Sequence, residues 1–119
     1  LFTHTLFLGQ MWKLNGTTKL VNKGELWKPY DIWTLNAAYD NETYYIENIS
    51  NGRVLAIHDT DNSIISVRKS NTTGNEVWNK GLENDTNCKG FFTLIHPHSV
   101  EVLTATSDNK LIIAKGIYA

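Results

Sequence analysis

His58, Asp59, Arg68, Asn75 and Glu76 set several kinds of polar chemistry within one stretch of nineteen residues, 58–76. They offer an imidazole, two carboxylates, a guanidinium and an amide. Such a set could hydrogen-bond a polar ligand from one shallow depression, if the fold brings its members together. As solvated loop residues they would need no ligand, and the sequence leaves both readings open. Tyr30, Tyr39 and Tyr118 add rings that could stand exposed beside such a site. Bond-making chemistry has weaker support. There is no Gly-rich phosphate loop, nucleophile elbow, HExxH helix or paired Cys-x-x-Cys, so no catalytic residue is assigned. His96-Pro97-His98 lacks a third ligand at a known spacing and reads as a turn, as does the isolated His4, and no metal or cofactor is expected. Cys88 stands alone, which excludes an intrachain disulfide and suits a small buried apolar side chain.

The elements that must position these residues are short strands. No long stretch keeps apolar side chains at helical spacing, whereas β-branched and aromatic runs recur between Asn, Gly, Asp and Ser clusters. Strands are expected at 3–8, 10–14, 18–22, 25–28, 31–35, 43–48, 53–57, 63–68, 76–79, 91–95, 101–105 and 111–115. Asn15-Gly16, Asn51-Gly52, Lys23-Gly24 and Asp108-Asn109 supply turn chemistry between them.

The strands repeat. Gln10-Met11-Trp12, Asp31-Ile32-Trp33 and Glu76-Val77-Trp78 punctuate the chain, and the series that starts at Tyr44 returns at Phe91 with an offset of 47. A period in the forties marks one supersecondary unit used several times. About twelve short strands in three pseudo-repeats predict an all-β chain closed as a β-trefoil, since closure removes exposed edges. Trp33 and Trp78, with Leu35, then enter a shared core, and Trp27 joins them. One irregularity remains. Trp12 to Trp33 spans 21 residues but Trp33 to Trp78 spans 45, so the first unit lacks a fourth strand. Three explanations stay open: residues 3–8 fill the vacancy by a rearranged path, a hairpin has been lost, or the chain is a piece of a longer tandem protein.

At 119 residues the chain suits a single domain, 1–119. A net charge of -1 with scattered Lys and Arg gives no reason to expect nucleic acid, and no apolar run is long enough for a membrane span. Sequons at Asn15, Asn41, Asn48, Asn71 and Asn84 favour a secreted, extracellular location. Asn48 ends an expected strand, which leaves Asn15, Asn41, Asn71 and Asn84 as the glycosylation candidates.

The order Asn51-Gly52-Arg53-Val54-Leu55-Ala56, then Lys69-Ser70-Asn71-Thr72-Thr73-Gly74-Asn75-Glu76-Val77-Trp78, resembles the ricin-B-type (R-type) lectin repeat. The likeness spans most of residues 10–115 but is degenerate, since only Gln10-Met11-Trp12 keeps a literal Gln-x-Trp. It implies a β-trefoil whose units can each hold a shallow sugar pocket: an Asp acceptor, a stacking aromatic and an Asn before Gln-x-Trp. Here the Asp position is Ala56, Thr104 or Lys28, and the aromatic falls near Arg68 and Lys115. The family's usual cysteine pair is absent as well. Asn75 is retained, with Glu76 for Gln; His58, Asp59 and Arg68 would be substitutes. The expected function is a non-catalytic carbohydrate-binding, lectin-like module for extracellular glycans or glycoproteins. The alternative is a degenerate trefoil that serves as a structural or protein-interaction domain of a larger secreted assembly.

Overall fold

The computed structural model describes residues 11–15, 19–22, 33–38, 42–70, 75–81, 90–98, 100–106, 108 and 110–115. The strands expected at 3–8 and 25–28, together with His4, Trp27, Tyr30, Tyr39, Cys88 and Tyr118, lie outside these residues. Ten strands are present among them: β1 Trp12–Asn15, β2 Lys19–Asn22, β3 Trp33–Ala37, β4 Thr43–Asn48, β5 Arg53–Ile57, β6 Ile64–Arg68, β7 Trp78–Gly81, β8 Thr93–Ile95, β9 Glu101–Ala105 and β10 Leu111–Lys115.

Pairing is antiparallel throughout and closes on itself. β1 pairs with β2, β2 lies alongside β3, β3 pairs with β4, β4 with β7, and β7 with β8. The ring returns to β1 through Trp12 and Phe92, which exchange two backbone hydrogen bonds of 2.8 Å. These strands form a barrel that is joined by backbone pairing except between β2 and β3, which lie in contact. The hairpins β5–β6 and β9–β10 hang from it, with β6 against β10.

Three tryptophans define the pseudo-threefold axis. Trp12 and Trp78 are fully buried and Trp33 is 9% exposed, all in one cluster with Leu20, Ile46 and Leu94. Each indole faces a buried polar residue across the ladder. Trp12 pairs with Asn22 and Trp33 with Asn48, while the Asn79–Ile95 pair puts Trp78 opposite His96, ring centroids 5.6 Å apart. An indole buries on the order of 200 Å², roughly 5 kcal/mol by apolar-area accounting. The polar edge is satisfied too: Trp78 Nε1 donates to Leu55 O at 3.1 Å and Trp12 Nε1 to Leu103 O at 3.2 Å. Three equivalent units about one axis, two with hairpins within the described residues, make this a β-trefoil.

The same contacts settle how the units are assembled. Leu55 and Trp78 belong to one unit; their counterparts are Leu103 and Trp12. The strand β1 therefore acts as the fourth strand of the last unit, in the place that a strand after β10 would take. The first unit begins at β2 and ends at β3, with residues 23–32 between them. The third unit is thus closed by β1, whereas the shortfall seen in the sequence stays in the first unit, where ten residues separate β2 from β3 against twenty-nine between β4 and β7. The repeat offset also needs correction. Tyr44 pairs with Trp78 as Phe92 pairs with Trp12, so Tyr44 answers Phe92 and the offset is 48 there. It falls to 47 only beyond the hairpin turns, because 58–63 holds one residue more than 106–110.

Candidate functional site

The middle unit supplies the β5–β6 hairpin and the approach to β7. Within β5, Val54, Leu55, Ala56 and Ile57 are all buried, and Ile57 pairs with Ile64 to close the turn 58–63. His58 N–H donates to Ser63 O at 2.8 Å and Asn62 N–H to His58 O at 2.9 Å. Asn62 takes φ 59°, a left-handed conformation that Asn tolerates. Side chains tighten the turn further. Asp61 Oδ1 accepts from Ser63 N at 3.0 Å and from Ser63 Oγ at 2.7 Å. Those bonds, the hydroxyl's first, hold the Asp61 carboxyl below its ordinary pKa.

Of the expected residues, the structure gathers some and separates one. Ile57 N–H donates to Asn75 O at 3.2 Å, which seats Asn75 at the turn end of the hairpin beside His58. Glu76 follows and is buried, 3% exposed. The half-exposed His58 ring turns back on its own loop: its Nδ1 lies 2.8 Å from Thr60 Oγ1 and 3.6 Å from Asp61 Oδ1. Asp59 is exposed in the same turn. Arg68 sits at the far end, paired with Arg53, four strand residues beyond Ile64. At about 3.3 Å per residue that is roughly 13 Å away along β6. His58, Asp59, Asn75 and the approach to Glu76 thus gather at the turn end of the hairpin, with Arg68 apart from them. Ala56, at the family's acceptor position, is buried and apolar.

A second polar group went unnoticed in the sequence. Glu47 forms an ion pair with Lys69 Nζ at 2.5 Å and accepts from Asn36 Nδ2 at 3.0 Å. The Lys69 bond is the main reason its carboxyl stays below the usual range. Lys69 also lies 5.2 Å from the centre of the Tyr45 ring. The available signal was the alternation of β4, which sends Tyr45 and Glu47 to the face opposite the core residue Ile46.

Asn41, Asn71 and Asn84 lie outside the described residues, and Asn15 ends β1 opposite Lys19. Asn48 is 2% exposed, and its Oδ1 accepts from Ser50 N at 2.8 Å and Asn51 N at 3.3 Å. Among the described residues, no group of three His, Cys, Asp or Glu could hold a metal ion. His96 is buried against Trp78, and the His96 and His98 ring centroids are 5.7 Å apart.

No protein-family model matches the chain, and no curated protein matches it. Among solved structures, BEL beta-trefoil (apo crystal form 3) aligns with a TM-score of 0.61 at 18% identity, covering 93% of this chain and 87% of that one. That likeness agrees with the fold described above.

Proposed function

We propose that this trefoil is a non-catalytic carbohydrate-binding module of the R-type lectin kind, which recognises extracellular glycans or glycoproteins. The observation that carries the reading is the bond from Ile57 N–H to Asn75 O. It brings the one residue retained from the lectin motif against a turn that exposes a carboxylate, Asp59, and an imidazole, His58. A saccharide presents hydroxyl edges to such fixed donors and acceptors. Binding at one shallow site is weak, and useful avidity comes from repeated presentation. Five sequons support a secretory route, with Asn15, Asn41, Asn71 and Asn84 as acceptors.

The test is a glycan array probed with the multimerised domain, beside an Asp59→Ala, Asn75→Ala double variant. Specific signals that fall at least tenfold in the variant are expected. An empty array at high protein concentration refutes the reading. Peptide mass spectrometry of material secreted from eukaryotic cells checks the acceptors, and unmodified sequons would count against the secretory route.

A second reading, a protein-interaction domain, draws on different residues. Ile49, Val100 and Ile112 are large apolar side chains exposed by 48%, 67% and 42%. A stoichiometric protein partner that survives excess free sugar would favour this role.

A further inference from the structure

The barrel repeats a small apolar layer two residues after each core tryptophan. Leu14 follows Trp12 and Leu35 follows Trp33, and both pack against the core. The third position is Lys80, after Trp78. A lysine there breaks the symmetry of the layer without any need of the fold, because leucine serves its two siblings. Its ammonium is held in place by rings: Nζ lies 4.7 Å from the centre of Phe92 and 5.7 Å from that of Tyr44. These aromatics are themselves equivalent residues of neighbouring units, as their pairing with Trp12 and Trp78 shows. Lys13 Nζ lies 5.0 Å from the centre of the half-buried Phe91 ring, but on the other face of the sheet, because these two residues alternate with the core residues Trp12 and Phe92.

Lys80 differs from the ion-paired lysines. Lys69, though it also lies over a ring, is paired with Glu47, and Lys110 is paired with Asp108, whereas Lys80 is held by the rings of Phe92 and Tyr44. Ring faces position a cation without neutralising its charge, so a full positive charge remains to meet a ligand anion. Lys80 is exposed, and Tyr44 is half-buried. Glu42 borders the patch just before β4 and is the acidic residue nearest to it in register. Lys80 is two residues beyond Trp78, and Asn75 three before it, so this patch and the His58–Asn75 group lie towards opposite ends of β7.

We propose that Lys80, with Tyr44 and Phe92, forms a second ligand site that takes an acidic saccharide, a sugar bearing a carboxylate or sulfate group. The anion meets the ring-held ammonium of Lys80, and the CH-rich face of the sugar lies on the exposed part of Tyr44. This inference rests on the glycan-binding reading above and names the class of ligand for a different face of the same domain.

The test compares sialyllactose with lactose by titration calorimetry on the intact chain, with Lys80→Leu as the key variant. Leucine occupies the sibling positions, so Lys80→Leu is expected to fold with an unchanged or raised melting temperature. It should lose at least tenfold in sialyllactose affinity and nothing for lactose. Lys80→Gln repeats the comparison should the leucine variant fail to fold. Wild-type affinity for sialyllactose should exceed that for lactose at least tenfold, and should fall as salt rises from about 50 to about 500 mM. Equal affinity for the two sugars overturns the inference but leaves the glycan reading intact, as does unchanged sialyllactose binding by both Lys80 variants. Binding of neither sugar, together with an empty array, overturns both. Competition by inorganic sulfate as strong as by sialyllactose overturns the saccharide and leaves a bare anion site.

Discussion

Val100 should be replaceable by glycine with a gain in stability. It occupies the position that Gly52 holds in the preceding unit: Gly52 N–H donates to Asn48 O and Val100 N–H to His96 O, both at 2.8 Å. Gly52 adopts φ 74° and Val100 φ 59°, so a β-branched residue has been placed in a left-handed turn. The left-handed conformation costs an L-residue roughly 1–2 kcal/mol, and a β-branched one lies at the upper end. Glycine returns about 0.7 kcal/mol of this through the greater freedom of its unfolded chain. Val100 is 67% exposed, so loss of its side chain forfeits only about 0.5 kcal/mol of burial. The net expectation for Val100→Gly is about 1 kcal/mol of stabilisation, or a melting temperature higher by about 3–5 °C for a chain of this size. Urea denaturation and calorimetry measure it directly. Gly52→Val should do the reverse, at a loss of about 1–2 kcal/mol. A less stable Val100→Gly, or a neutral Gly52→Val, would show that these turns are not equivalent and would refute the reasoning.

Three other expectations follow from the core and the barrel. Trp12→Ala and Trp78→Ala should each cost about 3–5 kcal/mol, with similar unfolding midpoints, because both indoles close a unit through one carbonyl; a mild Trp12→Ala would contradict the role given to β1. A Cβ at Gly81 would stand 2.1 Å from Thr93 Oγ1, so Gly81→Ala should destabilise by about 1–2 kcal/mol, and Gly81→Ala in a Thr93→Ala background should recover most of it, both read by urea titration. Burial, and then the neighbouring His98, hold the His96 pKa below its ordinary 6.5, so the unfolded chain takes up the proton first. The stability contributed by neutral His96 is full above pH 6.5 and is lost as pH falls from there through the lowered folded value. His96→Asn, which copies Asn22 and Asn48, should flatten that part of the stability–pH curve, and an unchanged slope would rule out His96 as its source.

The hairpins were legible because their pairing is local. Alternation and turn residues placed β4, β5, β9 and β10 at their observed bounds, since each strand finds its partner across a short turn. The place of β1 was not legible. Gln10-Met11-Trp12 looks like the opening of the first unit, but its hydrogen-bond partners, Phe92 and Leu103, lie 80 and 91 residues further along the chain. No local pattern encodes such a pairing. The buried polar layer of Asn22, Asn48 and His96 was hidden for a related reason: three dissimilar contexts and two residue types carry one structural position. At the candidate site, proximity in sequence misled. Arg68 is closer to His58 along the chain than Asn75 is, yet strand geometry carries it away while a backbone hydrogen bond brings Asn75 in. Lys80 escaped notice because its significance appears only when it is set beside Leu14 and Leu35.

The closure of the barrel by β1 has a bearing on biosynthesis. The indole of Trp12 leaves the ribosome 91 residues before the carbonyl that holds it. Until then an apolar segment must wait without its destination, exposed to chaperones and to stray association with other nascent chains. Final docking has to close a loop of 91 residues, a non-local contact whose entropic cost falls before its burial is gained.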